Sequence, residues 1–283
     1  MSSSPKKLLA VDLDGTLLGL LGAPHERDLA ALRAAAAEGI AITIITGRLF
    51  SGTRAAAIAA GIRGPVACVD GSHVVRVAGE ETLVHHGIRG IGASRVQQAV
   101  RDARPATFVF AADRIVHDDD GVPYLGYLTT WSSEVESTDA VHNHHVWDHP
   151  HGLTAVVCVG TSEQIDGVAR VVRDELGESV QTTTFPIRRI GAWGLVARAS
   201  GGNKGTALKW LANHHGVAIE HAVCVGDWIN DVPMFLAAGR SFVMGQAPPE
   251  VKAKASDVLF ETVDTGGGVA AAIERAFGIK ARV

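Results

Sequence analysis

No stretch of the 283-residue sequence runs to the ~20 consecutive apolar residues that a membrane-spanning helix requires. Met1 to Lys7 is polar and short, and no apolar stretch of secretory type follows it, so a cytoplasmic protein is expected. Basic residues are not in excess: 26 Lys and Arg stand against 30 Asp and Glu, a formal charge of −4, which argues against nucleic acid as the main partner. Cysteine is scarce. The three present, Cys68, Cys158 and Cys224, form no C-x-x-C pair, so neither a zinc site nor a redox motif is indicated. Each lies inside an apolar, strand-like run, the place of a small buried hydrophobe. Internal repeats and low-complexity tracts are also missing. What remains is a soluble globular composition, 47% hydrophobic and 20% charged, in a chain long enough for two domains.

Apolar runs alternate with helical patterns in the first part of the chain. Leu8-Leu9-Ala10-Val11 reads as a buried strand breaking into a turn at Asp14-Gly15. Glu26 to Glu38 predicts a helix capped by Gly39, Ile40 to Ile45 a strand, Arg54 to Ala60 a helix, and Pro65 to Val69 a third strand. That order implies a parallel sheet with right-handed crossovers. Past Gly71 the texture changes. Val74 to Val77 and Thr82 to Val84 predict a hairpin, Ala93 to Ala103 a helix, and Thr107 to Ala111 and Leu153 to Val159 strands. Thr161 and Gln164 offer a capping box for a helix to Leu176, and Val180 to Phe185 alternates as a strand. The first texture resumes with a short strand at Gly194 to Ala197, a helix after Lys204, and a strand at Ala222 to Val225 ending in Gly226-Asp227.

Three features converge on the carboxyl ends of predicted strands, where open α/β sheets bind ligands. They are Asp12 with Asp14, then Thr46-Gly47-Arg48, and then Asp227 with Asn230 and Asp231. An extended backbone would point Asp12 and Asp14 the same way, and like charges held close require a cation. Carboxylates with phosphate and water suit Mg²⁺, ahead of Ca²⁺, which takes more oxygens. Lys204, at a predicted helix N-terminus between glycines, faces the positive end of the helix dipole, a placement that makes sense beside an anion. Thr46 and the Gly47 amide can donate to the same anion.

Asp12-x-Asp14-Gly15-Thr16-Leu17-Leu18, Thr46-Gly47-Arg48, Lys204-Gly205 and Gly226-Asp227-x-x-Asn230-Asp231 together resemble the four motifs of the haloacid dehalogenase superfamily. Their order and spacing, with the tail around Gly245-Gln246-Ala247-Pro248, look like the Cof-like phosphatases. The resemblance implies an α/β fold, a Rossmannoid parallel-sheet core from 1–80 and 190–283, with an inserted α+β cap domain over 81–189. It further implies a Mg²⁺-dependent phosphomonoesterase acting on a small-molecule phosphate ester such as a sugar phosphate, as a monomer or homodimer. Asp12 would be the nucleophile and Asp14 the general acid and base. Asp12, Asp14 (through its backbone carbonyl) and Asp227 would hold the metal. Thr46, Gly47, Lys204 and Asn230 would bind the phosphoryl oxygens, and Asp231 would orient metal waters or Lys204. Arg48 would face cap or substrate, or form a structural ion pair.

Two departures and one tempting tract accompany the resemblance. Many relatives carry Asn-Gly after the third strand, where this chain has Asp70-Gly71; the extra carboxylate either binds backbone amides in the turn or disfavours highly anionic substrates. Trp228 either lines the entrance or packs under the cap. His142, His144, His145, His149 and His151 with Asp148 could suggest a second metal, but no spacing fixes a tetrahedral set, and a solvated cap loop is expected. The rival functions are a phosphomutase of related architecture and a sugar-phosphate-binding protein without turnover.

Overall fold

The computed structural model describes residues 7–19, 22–188 and 190–280. In chain order the first elements are β1 (Leu8–Val11), α1 (Glu26–Ala37), β2 (Ala41–Ile44), α2 (Phe50–Ala59), β3 (Pro65–Cys68), β4 (His73–Arg76) and β5 (Glu81–His85). There follow α3 (Ile91–Ala103), β6 (Ala106–Ala111), β7 (Arg114–His117), α4 (Leu125–Leu128), β8 (Val135–Ser137), β9 (Ala155–Gly160), α5 (Ser162–Leu176), β10 (Val180–Ile187) and β11 (Ala192–Ala199). The chain closes with α6 (Lys204–His214), β12 (Ala222–Gly226), α7 (Val232–Ala237), β13 (Arg240–Val243), α8 (Pro249–Lys252), β14 (Asp257–Val258) and α9 (Gly268–Phe277). Two compact units emerge: 1–47, 53–83 and 203–283 form one, and 48–52 with 84–202 the other.

The first unit is built on a parallel sheet in the order β14-β13-β12-β1-β2. β1 sits inside it with every residue buried. A strand covered on both faces needs an unbroken apolar run, and Leu-Leu-Ala-Val supplies one. From β1 the chain moves to β2 on one side, whereas from β12 it moves to β13 on the other. The order therefore reverses between β1 and β12, the point at which such sheets leave a ligand crevice. Register brings the strand ends level there, because Val11 pairs with both Val225 and Ile44. The residues immediately beyond, Asp12, Thr46 and Asp227, are consequently gathered at one edge.

β3 departs from the expected parallel strand. It pairs antiparallel with β4 in a separate β3-β4-β5 sheet, and only an Ile45–Ala67 bridge runs parallel to the continuation of β2. The expected hairpin around Gly79-Glu80 is the β4–β5 pair.

The second unit carries a six-stranded sheet, β10-β11-β9-β6-β7-β8, antiparallel except for β7 with β8. Val96 and Val100 of α3 and Val168 and Val172 of α5 belong to its core. The Thr161–Gln164 capping box starts α5, with each partner's side chain bonded to the other's backbone N–H. One expectation is corrected here. The strand placed at Gly194 to Ala197 in the parallel core is β11, an eight-residue strand between β9 and β10 of this antiparallel sheet. Its partners supply the reason: Leu195 and Ala197 lie opposite Cys158 and Val156, so the apolar residues extend the second unit's core. The histidine tract folds as two short 3₁₀ turns, 141–143 and 145–148. Among the described residues it forms no group of three that could close on a metal. All three cysteines are buried and free, and no helix of the described residues is long and apolar enough to cross a membrane.

Candidate active site

The site is built where β1 and β12 end. Past Val11 the extended backbone stops, because the N–H groups of Thr16, Leu17 and Leu18 all turn back onto the Leu13 carbonyl. The two-residue alternation expected for Asp12 and Asp14 therefore does not apply: Asp12 is buried and Asp14 exposed. Gly15 takes the positive φ of this turn, +79°, and a Cβ there would overlap the Asp227 carboxylate.

Lys204 enters from the first turn of α6. Asn203 caps that helix by accepting from the Gly205 and Thr206 amides, while the Thr206 hydroxyl accepts from the Asn203 amide. The Asn-x-x-Thr spacing was the available signal for this cap. Although glycines flank it in sequence, Lys204 is 1% exposed. The anions it meets are protein carboxylates: its Nζ donates to Asp12 Oδ1 and to Asp231 Oδ1, each at 2.5 Å. Asp231 is fully buried, and its other oxygen accepts from the Asp227 and Trp228 amides at 2.8 and 2.9 Å. Gly226 makes room for this, since a Cβ there would collide with the Asp231 carboxylate. Asp231 thus fixes both the lysine and the loop that carries Asp227.

Charge is out of balance. Oxygens of Asp12, Asp227 and Asp231 lie within 4.8 Å of one another, and among the described residues this is the one group able to hold a metal ion. Asp231, expected to orient metal waters or Lys204, supplies the third carboxylate of that group. Burial raises Asp12 well above the ordinary carboxylate range; Lys204 opposes the shift, and Asp231 and Asp227 add to it. Burial likewise pushes Asp227 up to about 7, with repulsion from Asp231 and Asp14 contributing. For Lys204 burial acts downward, but Asp12, Asp231 and Asp70 hold the ammonium firmly charged. One ammonium therefore faces three carboxylates, and the buried Asp227 Oδ1 has no hydrogen-bond partner. An oxygen-rich, electron-rich pocket of this kind fits a hard divalent cation. Gln246 was not foreseen: its Nε2 donates to the Gly15 carbonyl at 2.6 Å and reaches Asp227 Oδ2 at 3.4 Å.

The expected phosphoryl ligands are distributed as follows. Thr46 is buried at the end of β2, its amide donating to the Ala67 carbonyl. Asn230 Nδ2 donates to Asp70 Oδ1 at 2.9 Å, and Gly47 lies against that pair. Asp70 thus accepts from the side-chain amide of Asn230. Trp228 is 55% exposed. Arg48 groups with the other unit, where its guanidinium donates to the Gly52 carbonyl at 3.3 Å.

The sequence matches the model of the haloacid dehalogenase-like hydrolases over residues 9–273. An HMP-PP phosphatase of Klebsiella pneumoniae is 26% identical over 252 residues, 88% of this chain and 87% of that protein. The pyridoxal phosphate phosphatase YbhA of Escherichia coli is 24% identical, with 89% and 93% covered. A crystal structure of a haloacid dehalogenase-like hydrolase from Bacteroides thetaiotaomicron superposes with a TM-score of 0.81 at 22% identity, covering 96% of this chain and 99% of that one. With the strand-end carboxylates, the buried lysine and the inserted α+β unit, these likenesses establish that the chain belongs to the haloacid dehalogenase-like hydrolases.

Proposed function

We propose that this hydrolase is a Mg²⁺-dependent phosphomonoesterase that acts on a small phosphorylated metabolite through an aspartyl-phosphate on Asp12. The observation that carries the reading is the buried Asp12–Lys204–Asp231 chain beside an unpartnered Asp227 oxygen. Lys204 holds one oxygen of Asp12, which leaves the second free to attack phosphorus in line. The alkoxide leaves with a proton from Asp14, whose exposed carboxyl can exchange protons with solvent. Asp14 then takes a proton from the water that opens the intermediate, and inorganic phosphate departs. Asp12, Asp227 and the Asp14 carbonyl would hold Mg²⁺, with Asp231 behind them; the ion neutralises phosphoryl and carboxylate charge. Thr46, the Gly47 amide, Asn230 and the remaining N–H of Lys204 would bind phosphoryl oxygens, since such transfers rest mainly on positioning and electrostatics.

Two relatives are named for different phosphorylated compounds, so what they share is the phosphoryl group. The inserted unit (residues 81–189 in the sequence reading, and 48–52 with 84–202 as a compact unit) is the proposed seat of substrate choice, with sugar phosphates the first class to test. Release of inorganic phosphate from a panel of sugar and other small phosphate esters, with and without Mg²⁺, tests the reading. Turnover should require Mg²⁺ and disappear in Asp12→Asn. Equal turnover by that variant would remove Asp12 from the nucleophile's role.

A further inference from the structure

Val69 and Asp70 are consecutive non-glycine residues in the left-handed region, at φ 48° and 51°. A β-branched residue there is unfavourable, and such backbone persists only where its surroundings impose it. The surroundings here are specific. The Asp70 amide donates to the Thr46 carbonyl at 2.8 Å, which fastens the turn to the end of β2. The Asp70 carboxylate accepts from Asn230 Nδ2 at 2.9 Å, a bond between residues 160 apart in sequence. Gly47 lies between them: a Cβ built on it would stand 3.6 Å from Asp70 Oδ1 and 4.0 Å from Asn230 Nδ2.

An ionised carboxylate only accepts hydrogen bonds. Its partner on Asn230 is therefore the amide nitrogen, and the direction of the second N–H is fixed with it. We infer that Asp70 is a positioning residue that aims the Asn230 amide at the phosphoryl group of the substrate. The inference rests on the reading of Asn230 as a phosphoryl ligand. It also gives the carboxylate at this position a use that offsets its repulsion of an anionic substrate.

A double-mutant cycle in the full chain tests it, with kcat/KM for the best ester of the panel and inhibition by inorganic phosphate as readouts. Asp70→Ala and Asn230→Ala should each lower kcat/KM and weaken phosphate inhibition about tenfold, as expected for losing one charge-assisted hydrogen bond. The double variant should lose about tenfold in all, where independent sites would lose about a hundredfold. The cost of alanine in a left-handed backbone enters both arms of the cycle and cancels. Asp70→Asn keeps an acceptor oxygen and tolerates that backbone, so it should stay within about threefold of the parent. If Asp70→Ala fails to fold, Asp70→Gly runs the same cycle without backbone strain. Additive losses, or an Asp70→Asn variant as impaired as Asp70→Ala, would overturn the assignment. A parent protein that releases no phosphate would instead sink the phosphatase reading.

Discussion

Replacing Lys204 by Met removes the ammonium while nearly keeping its volume, so the change isolates charge. Lys204 is 1% exposed and bonded at 2.5 Å to two carboxylates that are themselves buried. At the effective dielectric that suits such sites, each contact is worth roughly 6 kcal/mol before desolvation is counted. Several kcal/mol of desolvation oppose this, and removing one partner of a buried pair typically costs about 3–5 kcal/mol. A second route reaches the same range. Without the ammonium a carboxylate must take up a proton to stay buried. At pH 7, for a group whose ordinary value is 3.8, that costs about 1.4 kcal/mol per pH unit, or roughly 4 kcal/mol. The sign follows from proton uptake: the folded variant binds more protons than the unfolded chain, so its stability falls as pH rises above 3.8. The deficit against the parent at pH 7 should therefore be about 3–5 kcal/mol, and the variant itself should lose roughly 3 kcal/mol of stability between pH 5 and pH 7. Denaturant unfolding of both proteins at the two pH values measures it. A deficit below ~1 kcal/mol at pH 7, or a variant equally stable at both pH values, would refute the charge argument.

Two further outcomes are expected. Gly15→Ala adds a Cβ that overlaps the Asp227 carboxylate on a backbone at φ +79°, which should cost about 2–4 kcal/mol and weaken the stabilisation by Mg²⁺; thermal shift with and without the ion reads both. His85, half-buried and hydrogen-bonded to the Thr154 hydroxyl, has its pKa lowered by burial and then by Arg89, His151 and His149. The fold favours the neutral ring, so stability from this group is present above its ordinary value of 6.5 and is lost as pH falls below it. His85→Gln should flatten the melting temperature of the 48–52 and 84–202 unit between pH 6.5 and pH 5, and an unchanged slope would count against it.

The features legible in the sequence were those with local causes. β1 and β12 are buried on both faces and announce themselves as unbroken apolar runs. The Thr161–Gln164 box closes within one helical turn. Asp14-Gly15 marks the turn after β1, where Gly15 takes a φ of +79°. The failures have distant causes. The burial of Lys204 has no local signal, because its partner Asp12 lies 192 residues away. β11 reads as apolar in either sheet, and only its pairing with β9 decides which. The exposure of Asp14 beside a buried Asp12 follows from the turn at Leu13, which period-two reasoning does not anticipate.

The proposed chemistry depends most on Asp12 as the group that receives the phosphoryl. An aryl phosphate carries a leaving group good enough to need little help from an acid, so Asp14→Asn should still be phosphorylated by it while losing the base that frees the enzyme. Acid-quenched protein from that reaction, digested and weighed by mass spectrometry, should carry one phosphoryl group on the peptide containing Asp12. Phosphate release by the parent protein, with that peptide unmodified in the variant or the label on another residue, would contradict it.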